Sequence, residues 1–201
     1  MPWLEALPVT DGYSFVTSLP DVLELGLPLA EWIDWFRGSA QLVLSRCPEM
    51  GVVIFYQTDI KVEGRWIDKS FLCMHAALDA GVPLLWHKIV CRVPPGSSTR
   101  SRPSYAHLLC FSSGIATPIA ASTPDVIAVP GPKLWSRGIE VGVCRSICRF
   151  IRSQTETRTI VDPFCGIGTV LKIALRYQFD TIGIDKSPGR CRKAQRPGLN
   201  V

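Results

Sequence analysis

Apolar positions along this chain alternate between two periods. From Leu29 to Cys47 they recur at helical intervals, at Leu29, Trp32, Ile33, Phe36, Ala40, Val43 and Leu44. Val52-Val53-Ile54-Phe55-Tyr56 is instead an almost unbroken apolar run rich in β-branched residues, the pattern of a strand buried on both faces. Tyr13 to Thr17 reads as a short strand running into Ser18-Leu19-Pro20-Asp21. Asp68 to Ala80 reads as a helix, with Asp68 as its N-cap and Gly81 as its stop. Strands follow at Val82 to Val93 and Tyr105 to Phe111, with a turn at Pro94-Pro95-Gly96 between them. A helix is predicted from about Ile139 to Ser153, a strand at Ile160 to Asp162, a helix at roughly Val170 to Gln178 and a last strand at Thr181 to Ile184.

Strands alternating with helices predict an α/β fold whose parallel sheet is covered on both faces. The two strands joined across the loop from Pro94 to Arg102 are expected to form an antiparallel pair at one edge. Residues 112–134, with Pro118, Pro124, Pro130 and Pro132 among Ser, Thr and Gly, are expected to be a surface loop. A single domain is expected, with residues 1–111 and 135–201 as its two halves.

Composition sharpens this reading by exclusion. Apolar residues make up 47% and charged residues 19%, a globular balance rather than a disordered one. The chain has no apolar run of membrane-spanning length, and MPWLEALPVTDGYSF lacks the basic start and apolar stretch of a secretory signal. A cytoplasmic protein without membrane contact is therefore expected. The eight cysteines form no CxxC pair and the three histidines no metal-ligand spacing, so no structural metal is expected. The net charge of +5 is concentrated in two segments. Lys88, Arg92, Arg100 and Arg102 fall in a stretch without acids, and Arg190, Arg192, Lys193 and Arg196 lie near the end. Together they fit a polyanionic partner better than a neutral metabolite.

The most informative stretch is Ile160-Val161-Asp162-Pro163-Phe164-Cys165-Gly166-Ile167-Gly168-Thr169. It reads as an apolar strand ending in an acid, a glycine turn, and a helix beginning near Thr169. Glycine lets a ligand approach the main chain, and the helix start offers unpaired N–H groups. The next strand ends in Asp185, where nucleotide-binding α/β folds hold ribose hydroxyls. The unit predicts a nucleoside-type cofactor site.

Asp162 to Thr169 resembles the first cofactor-binding motif of S-adenosylmethionine-dependent methyltransferases, and the Asp-Pro-Phe-Cys-Gly wording is closest to those that methylate nucleic-acid bases. The resemblance implies that Asp162, Pro163, Phe164, Cys165, Gly166, Gly168 and Thr169 surround S-adenosyl-L-methionine, with Asp185 on its ribose. In most such enzymes the cofactor motif comes first; here it comes last, as in the circularly permuted groups that methylate amino groups. The implied fold is a Rossmann-like methyltransferase sheet, mostly parallel with an antiparallel edge pair, circularly permuted and lacking one edge strand. In those enzymes a strand ends in Asp/Asn/Ser-Pro-Pro-aromatic, which binds and aligns the target amino group and stacks on the flipped base. The matching residues here are Ser18, Leu19, Pro20 and Asp21, and Asp21 departs from the pattern because a carboxylate has no stacking face. Trp66, Trp86 or Tyr105 is then the candidate stacking residue, and Asp21 becomes a candidate hydrogen-bond or proton acceptor. Arg137 and Gly138 are assigned by the same resemblance to closing over the methionine end of the cofactor.

Gln57 and Asp59 stand at the end of a buried strand, where open sheets place ligands, and either could line an acceptor pocket or lie in a solvated loop. The function implied is methyl transfer to an amino group of a base in nucleic acid, with RNA favoured slightly over DNA because no extra sequence-finding domain stands out. A small-molecule or protein acceptor, and a non-catalytic subunit, are the alternatives; a homodimer or partner subunit is left open.

Overall fold

A computed structural model describes residues 2–99, 102–117 and 123–196. Arg100 of the first basic segment and Pro118 of the predicted loop lie outside the described residues.

Nine strands and seven helices are described, and seven of the strands form the main sheet in the order β7-β5-β6-β2-β1-β8-β9. Their ranges are β1 Tyr13–Thr17, β2 Val53–Gln57, β5 Leu84–Cys91, β6 Tyr105–Phe111, β7 Val126–Ile127, β8 Thr159–Asp162 and β9 Asp180–Gly183. Strand β1 sits between β2 and β8 and runs parallel to both, and β9 continues the sheet parallel to β8. Strand β6 is antiparallel to β2 and to β5, giving the predicted antiparallel pair. Early and late stretches of the chain thus contribute neighbouring strands, an order consistent with permutation. Among the described residues β9 is the edge strand on that side of the sheet.

One expectation needs correction. Residues 112–134 are not wholly a loop, because Val126 and Ile127 form β7, paired in parallel with Ile89 and Val90. Two residues with proline close by give no periodicity to read. Strand β7 also moves the antiparallel pair inward by one strand. Three other features carried too little pattern: α1 (Pro2–Ala6), α2 (Val22–Leu25) and the hairpin of β3 (Ile60–Val62) with β4 (Arg65–Ile67).

Apolar layers cover both faces of the sheet. On one face Phe15, Val53, Phe55 and Leu109 meet α3 (Leu29–Ser45) and α4 (Lys69–Asp79) through Trp32, Phe36, Val43 and Leu72. On the other, Val16, Ile54, Leu108 and Ile160 meet α5 (Val141–Gln154) and α6 (Thr169–Arg176) through Cys144, Ile147 and Ile173. Asp68 caps α4 as the sequence predicts, accepting from Phe71 N at 3.0 Å. Most cysteines are buried as free thiols, and no helix among the described residues is long and apolar enough to cross a membrane.

The start of β1 and the approach to β2 meet at Gly51, where an added Cβ would stand 2.3 Å from the Tyr13 carbonyl oxygen. Backbone cannot swing aside as a flexible side chain can. Gly51→Ala is expected to cost about 1–3 kcal/mol, as overpacking does, read as a lower urea midpoint at unchanged m-value.

Candidate functional site

The carboxyl ends of β1, β8 and β9 open on a common edge. Thr17, the last residue of β1, donates from Oγ1 to Asp162 Oδ1 at 2.7 Å, tying the tip that leads to Ser18 to the tip that leads to the glycine turn. Both partners are buried. Phe164 N also donates to Asp162 Oδ1, at 3.1 Å. Burial pushes the Asp162 carboxyl up to about 7, against the pull of those two hydrogen bonds and with a smaller push from Asp185.

The turn itself is tightly determined. Gly166 and Gly168 have φ of +56° and +74°, left-handed values that favour glycine. Gly168 also lies under α7 (Pro188–Gln195), where an added Cβ would meet that of Ala194 at 2.9 Å. Cys165 N donates to Ile184 O at 2.8 Å, and Ile184 N to Asp162 O at 3.1 Å, so the turn and the end of β9 hold one another. Asp185 follows at once. Its Oδ2 accepts from Gly166 N at 3.2 Å and from Arg190 Nη1 at 3.3 Å, and its Oδ1 accepts from Ser187 N at 2.7 Å. Two carboxylate oxygens offer about four acceptor positions, so these three bonds leave room for a hydroxyl, and more if Arg190 withdraws.

Trp135 lies over this turn. A Cβ on Gly166 would stand 2.7 Å from the Trp135 ring, and the Arg190 guanidinium sits 5.3 Å from the ring centroid. Gly138 packs beside the start of α6, with Thr169 Oγ1 3.4 Å from where its Cβ would be. Arg137 reaches the other way and pairs with Glu24 of α2 at 3.0 Å. The segment 135–138 therefore bridges the glycine turn and the loop after β1. Burial pushes the Cys165 thiol up to about 12, so little of it is ionised near neutral pH.

Beyond Thr17 the chain runs through Ser18, buried Leu19 and Pro20, whose carbonyl accepts from Trp32 Nε1 at 3.1 Å. Asp21 N donates to Glu24 Oε1 at 3.4 Å at the start of α2. The Asp21 carboxylate forms an ion pair with Lys69, whose side chain is only 2% exposed and lies over the rings of Trp32 and Phe36. A cavity of about 50 Å³ opens here, lined by Ser18, Asp21, Tyr56, Thr58, Lys69 and Ser136 with Arg92, Arg102, Lys133 and Arg137 around them. Its wall carries five basic side chains against Asp21 and Glu24, and three of the five, Lys69, Lys133 and Arg137, are held in ion pairs. Tyr56 donates to buried Glu140 at 2.9 Å, and Lys133 pairs with the same carboxylate at 3.0 Å.

The fold thus gathers the Ser18–Asp21 tip, the Asp162–Thr169 turn, Asp185 and the 135–138 segment on one edge. Gln57 and Asp59 are fully or nearly buried rather than lying in a solvated loop, and neither lines this cavity, although Tyr56 and Thr58 do. Of the alternative stacking residues, Trp86 packs on Phe150 on the α5 face, where it lines a larger groove of about 970 Å³ with Lys88, Leu108, Ile127 and Tyr177. Apart from Trp86, none of the predicted site residues lines that groove, so its size does not make it the reaction site. Trp66 is half exposed on β4 with Lys61 4.6 Å from its ring, and Tyr105 stands edge-on to His107.

Sequence reasoning missed Lys69, Trp32, Trp135 and α7. Two signals were present: Lys69 falls on the buried stripe of α4 with Leu72, Cys73, Ala76 and Ala77, and Ser187-Pro188 is a helix start.

No family model and no curated protein matches this sequence. Solved structures do match. A putative DNA modification methylase from Thermus thermophilus, TTHA0409, is 18% identical with a TM-score of 0.72 over 96% of this chain and 89% of its own. The same protein complexed with S-adenosyl-L-methionine gives 16% identity and a TM-score of 0.71 over the same shares. PvuII DNA methyltransferase, described as cytosine-N4-specific, is 16% identical with a TM-score of 0.73, covering 98% of this chain and 84% of its own. At such identities the likeness establishes a shared methyltransferase fold.

Proposed function

We propose that this chain is an S-adenosylmethionine-dependent methyltransferase acting on an amino group of a nucleic-acid base. The reading rests above all on the Thr17–Asp162 hydrogen bond, which fastens the tip bearing Ser18 to the glycine turn. The solved neighbour that carries S-adenosyl-L-methionine and the cytosine-N4-specific one support it.

The residues present fit the cofactor. Gly166 donates its N–H to Asp185 under the Trp135 ring, Asp185 keeps acceptor capacity for a ribose hydroxyl, and Asp162 supplies a carboxylate beside the turn. Trp135 already shields the turn, and its ring would flank the bound cofactor. Bound S-adenosylmethionine supplies an activated methyl group. What remains for the protein is alignment, worth about 7–11 kcal/mol when complete. Ser18, on a strand end fixed by its neighbour, accepts a hydrogen bond from the target amino group and orients its lone pair. Asp21 is placed to accept the proton that the amine would lose on methylation and to pass it to solvent. The cations Arg92 and Arg102 around the cavity suit the phosphates of a polyanion.

A smaller acceptor is favoured by one observation. Asp21, paired with Lys69, presents charge where a stacking ring would stand, and the cavity is narrow.

Isothermal titration with S-adenosylmethionine should show binding to the wild-type chain, with Asp185→Ala losing about 1–3 kcal/mol, the usual effect of removing a hydrogen bond to a charged group. Labelled-methyl transfer to total RNA and to DNA should then incorporate label into one of them, and Ser18→Ala should abolish it. Cofactor binding with label only in a small-molecule fraction would replace the nucleic-acid acceptor by a metabolite. Absence of cofactor binding would overturn the reading entirely.

A further inference from the structure

We propose that Asp59, Asp68 and His107 form a binding site for a divalent transition-metal cation, on the α4 face of the sheet, next to the methyl-transfer cavity but with none of the three lining it. One ligand atom from each lies within 4.8 Å of the other two, and Asp59 Oδ2 and His107 Nε2 are 3.1 Å apart. Ligands held about 2.1 Å from one ion stand about 3 Å from their neighbours, so the spacing of that pair already suits coordination. The remaining contraction needs only a small movement of Asp68, which is the exposed member and provides the entry path.

Each ligand is fixed by a partner that leaves another atom available. Asp59 Oδ1 accepts from Lys69 N at 2.9 Å, leaving Oδ2 beside His107 and the Tyr105 hydroxyl, which donates to it at 3.5 Å. Asp68 Oδ1 accepts from Ser70 Oγ at 2.7 Å and from Phe71 N at 3.0 Å, leaving its other oxygen. His107 Nδ1 lies 3.0 Å from His87 Nε2. With metal on Nε2, His107 would donate from Nδ1 to His87, the orienting contact that metal-bound imidazoles usually have. Both imidazoles then change tautomer with no net release of protons. The Lys69 ammonium, on the same helix, is engaged by Asp21.

A second observation points to a missing ligand. Gln57 is fully buried, yet neither its amide oxygen nor its nitrogen has a partner. An orphaned buried amide is costly. Gln57 is paired in register with His107, and by strand alternation both side chains leave the sheet on the same face as Phe55 and Leu109. An amide oxygen, two carboxylates and one imidazole make a mixed oxygen and nitrogen donor set of intermediate hardness, suited to Mn²⁺ through Zn²⁺.

Manganese is the probe, because this hard cation favours oxygen and imidazole donors over thiols. Mn²⁺ added to the full chain at equimolar concentration should lose the free aquo-ion electron paramagnetic resonance signal as one equivalent binds, and the midpoint of thermal unfolding should rise. Asp68→Asn, which keeps the helix cap and exchanges an exposed side chain, should weaken binding at least tenfold while unfolding normally without metal. His107→Gln should abolish it. A free-ion signal unchanged by the wild-type protein, or equal uptake by wild type and Asp68→Asn, would overturn the site. Neither readout involves methyl transfer, so this outcome is independent of the proposed activity.

Discussion

Replacing Asp162 by asparagine is expected to stabilise the ligand-free protein above neutral pH and at the same time to weaken S-adenosylmethionine binding. The Asp162 carboxyl is fully buried, and desolvation holds its folded value near 7 rather than the ordinary 3.8. The folded state therefore keeps a proton that the unfolded state has released. Native stability from this group is complete below about pH 3.8 and is lost as pH rises through about 7. At roughly 1.4 kcal/mol per unit, the ionised form above pH 7 costs about 4 kcal/mol. Asparagine removes that cost and keeps both described hydrogen bonds, since the Thr17 hydroxyl and Phe164 N–H donate to one oxygen, Oδ1. Chemical denaturation at pH 5 and pH 8 should show a variant that gains on wild type with rising pH. The cofactor carries a positive sulfonium and an ammonium, so it binds best when Asp162 is an anion. Wild-type affinity should rise from pH 6 to pH 8, whereas the Asn variant should bind weakly with no such slope. A variant that binds as tightly as wild type at pH 8 would show that Asp162 shapes the turn without meeting the ligand.

The same residue shows what a sequence can disclose. Asp162, the glycines after it and Asp185 sit on a strand–turn–helix–strand unit whose local pattern specifies its geometry, so that half of the candidate site was legible. Ser18 to Asp21 were legible as a strand end, and only the resemblance to permuted methyltransferases implied their meeting with Asp162. What stayed hidden depends on contacts between segments remote in sequence. Lys69 reads as a polar residue after a helix cap until Trp32 and Phe36 enclose it. Trp135 reads as part of a proline-rich approach until it lies against Gly166. Asp59, Asp68 and His107 come from two loops and a strand, and no spacing rule unites them before β2, β6 and α4 do. The strand β7 is too short for alternation to register at all.

The ion pair between Lys69 and Asp21 should respond asymmetrically to mutation, and the asymmetry separates structure from chemistry. Lys69 is almost fully enclosed, while the Asp21 side chain is 29% exposed. Asp21→Ala leaves an ammonium without a partner among the aromatic rings, a defect of about 3–5 kcal/mol in comparable buried pairs. In a chain of this size it should lower the thermal midpoint by about 10 °C. Lys69→Met leaves a carboxylate that water can still reach, fills the same space with apolar atoms, and should cost much less. Adding Lys69→Met to Asp21→Ala should therefore restore most of the lost stability, because the stranded charge is gone. Methyl transfer should not return with it. If Asp21 accepts the proton of the acceptor amine, the repaired double variant stays inactive while still binding S-adenosylmethionine, since neither side chain belongs to the glycine turn. Recovery of activity along with stability would instead reduce Asp21 to the residue that caps α2 and leave proton removal to solvent.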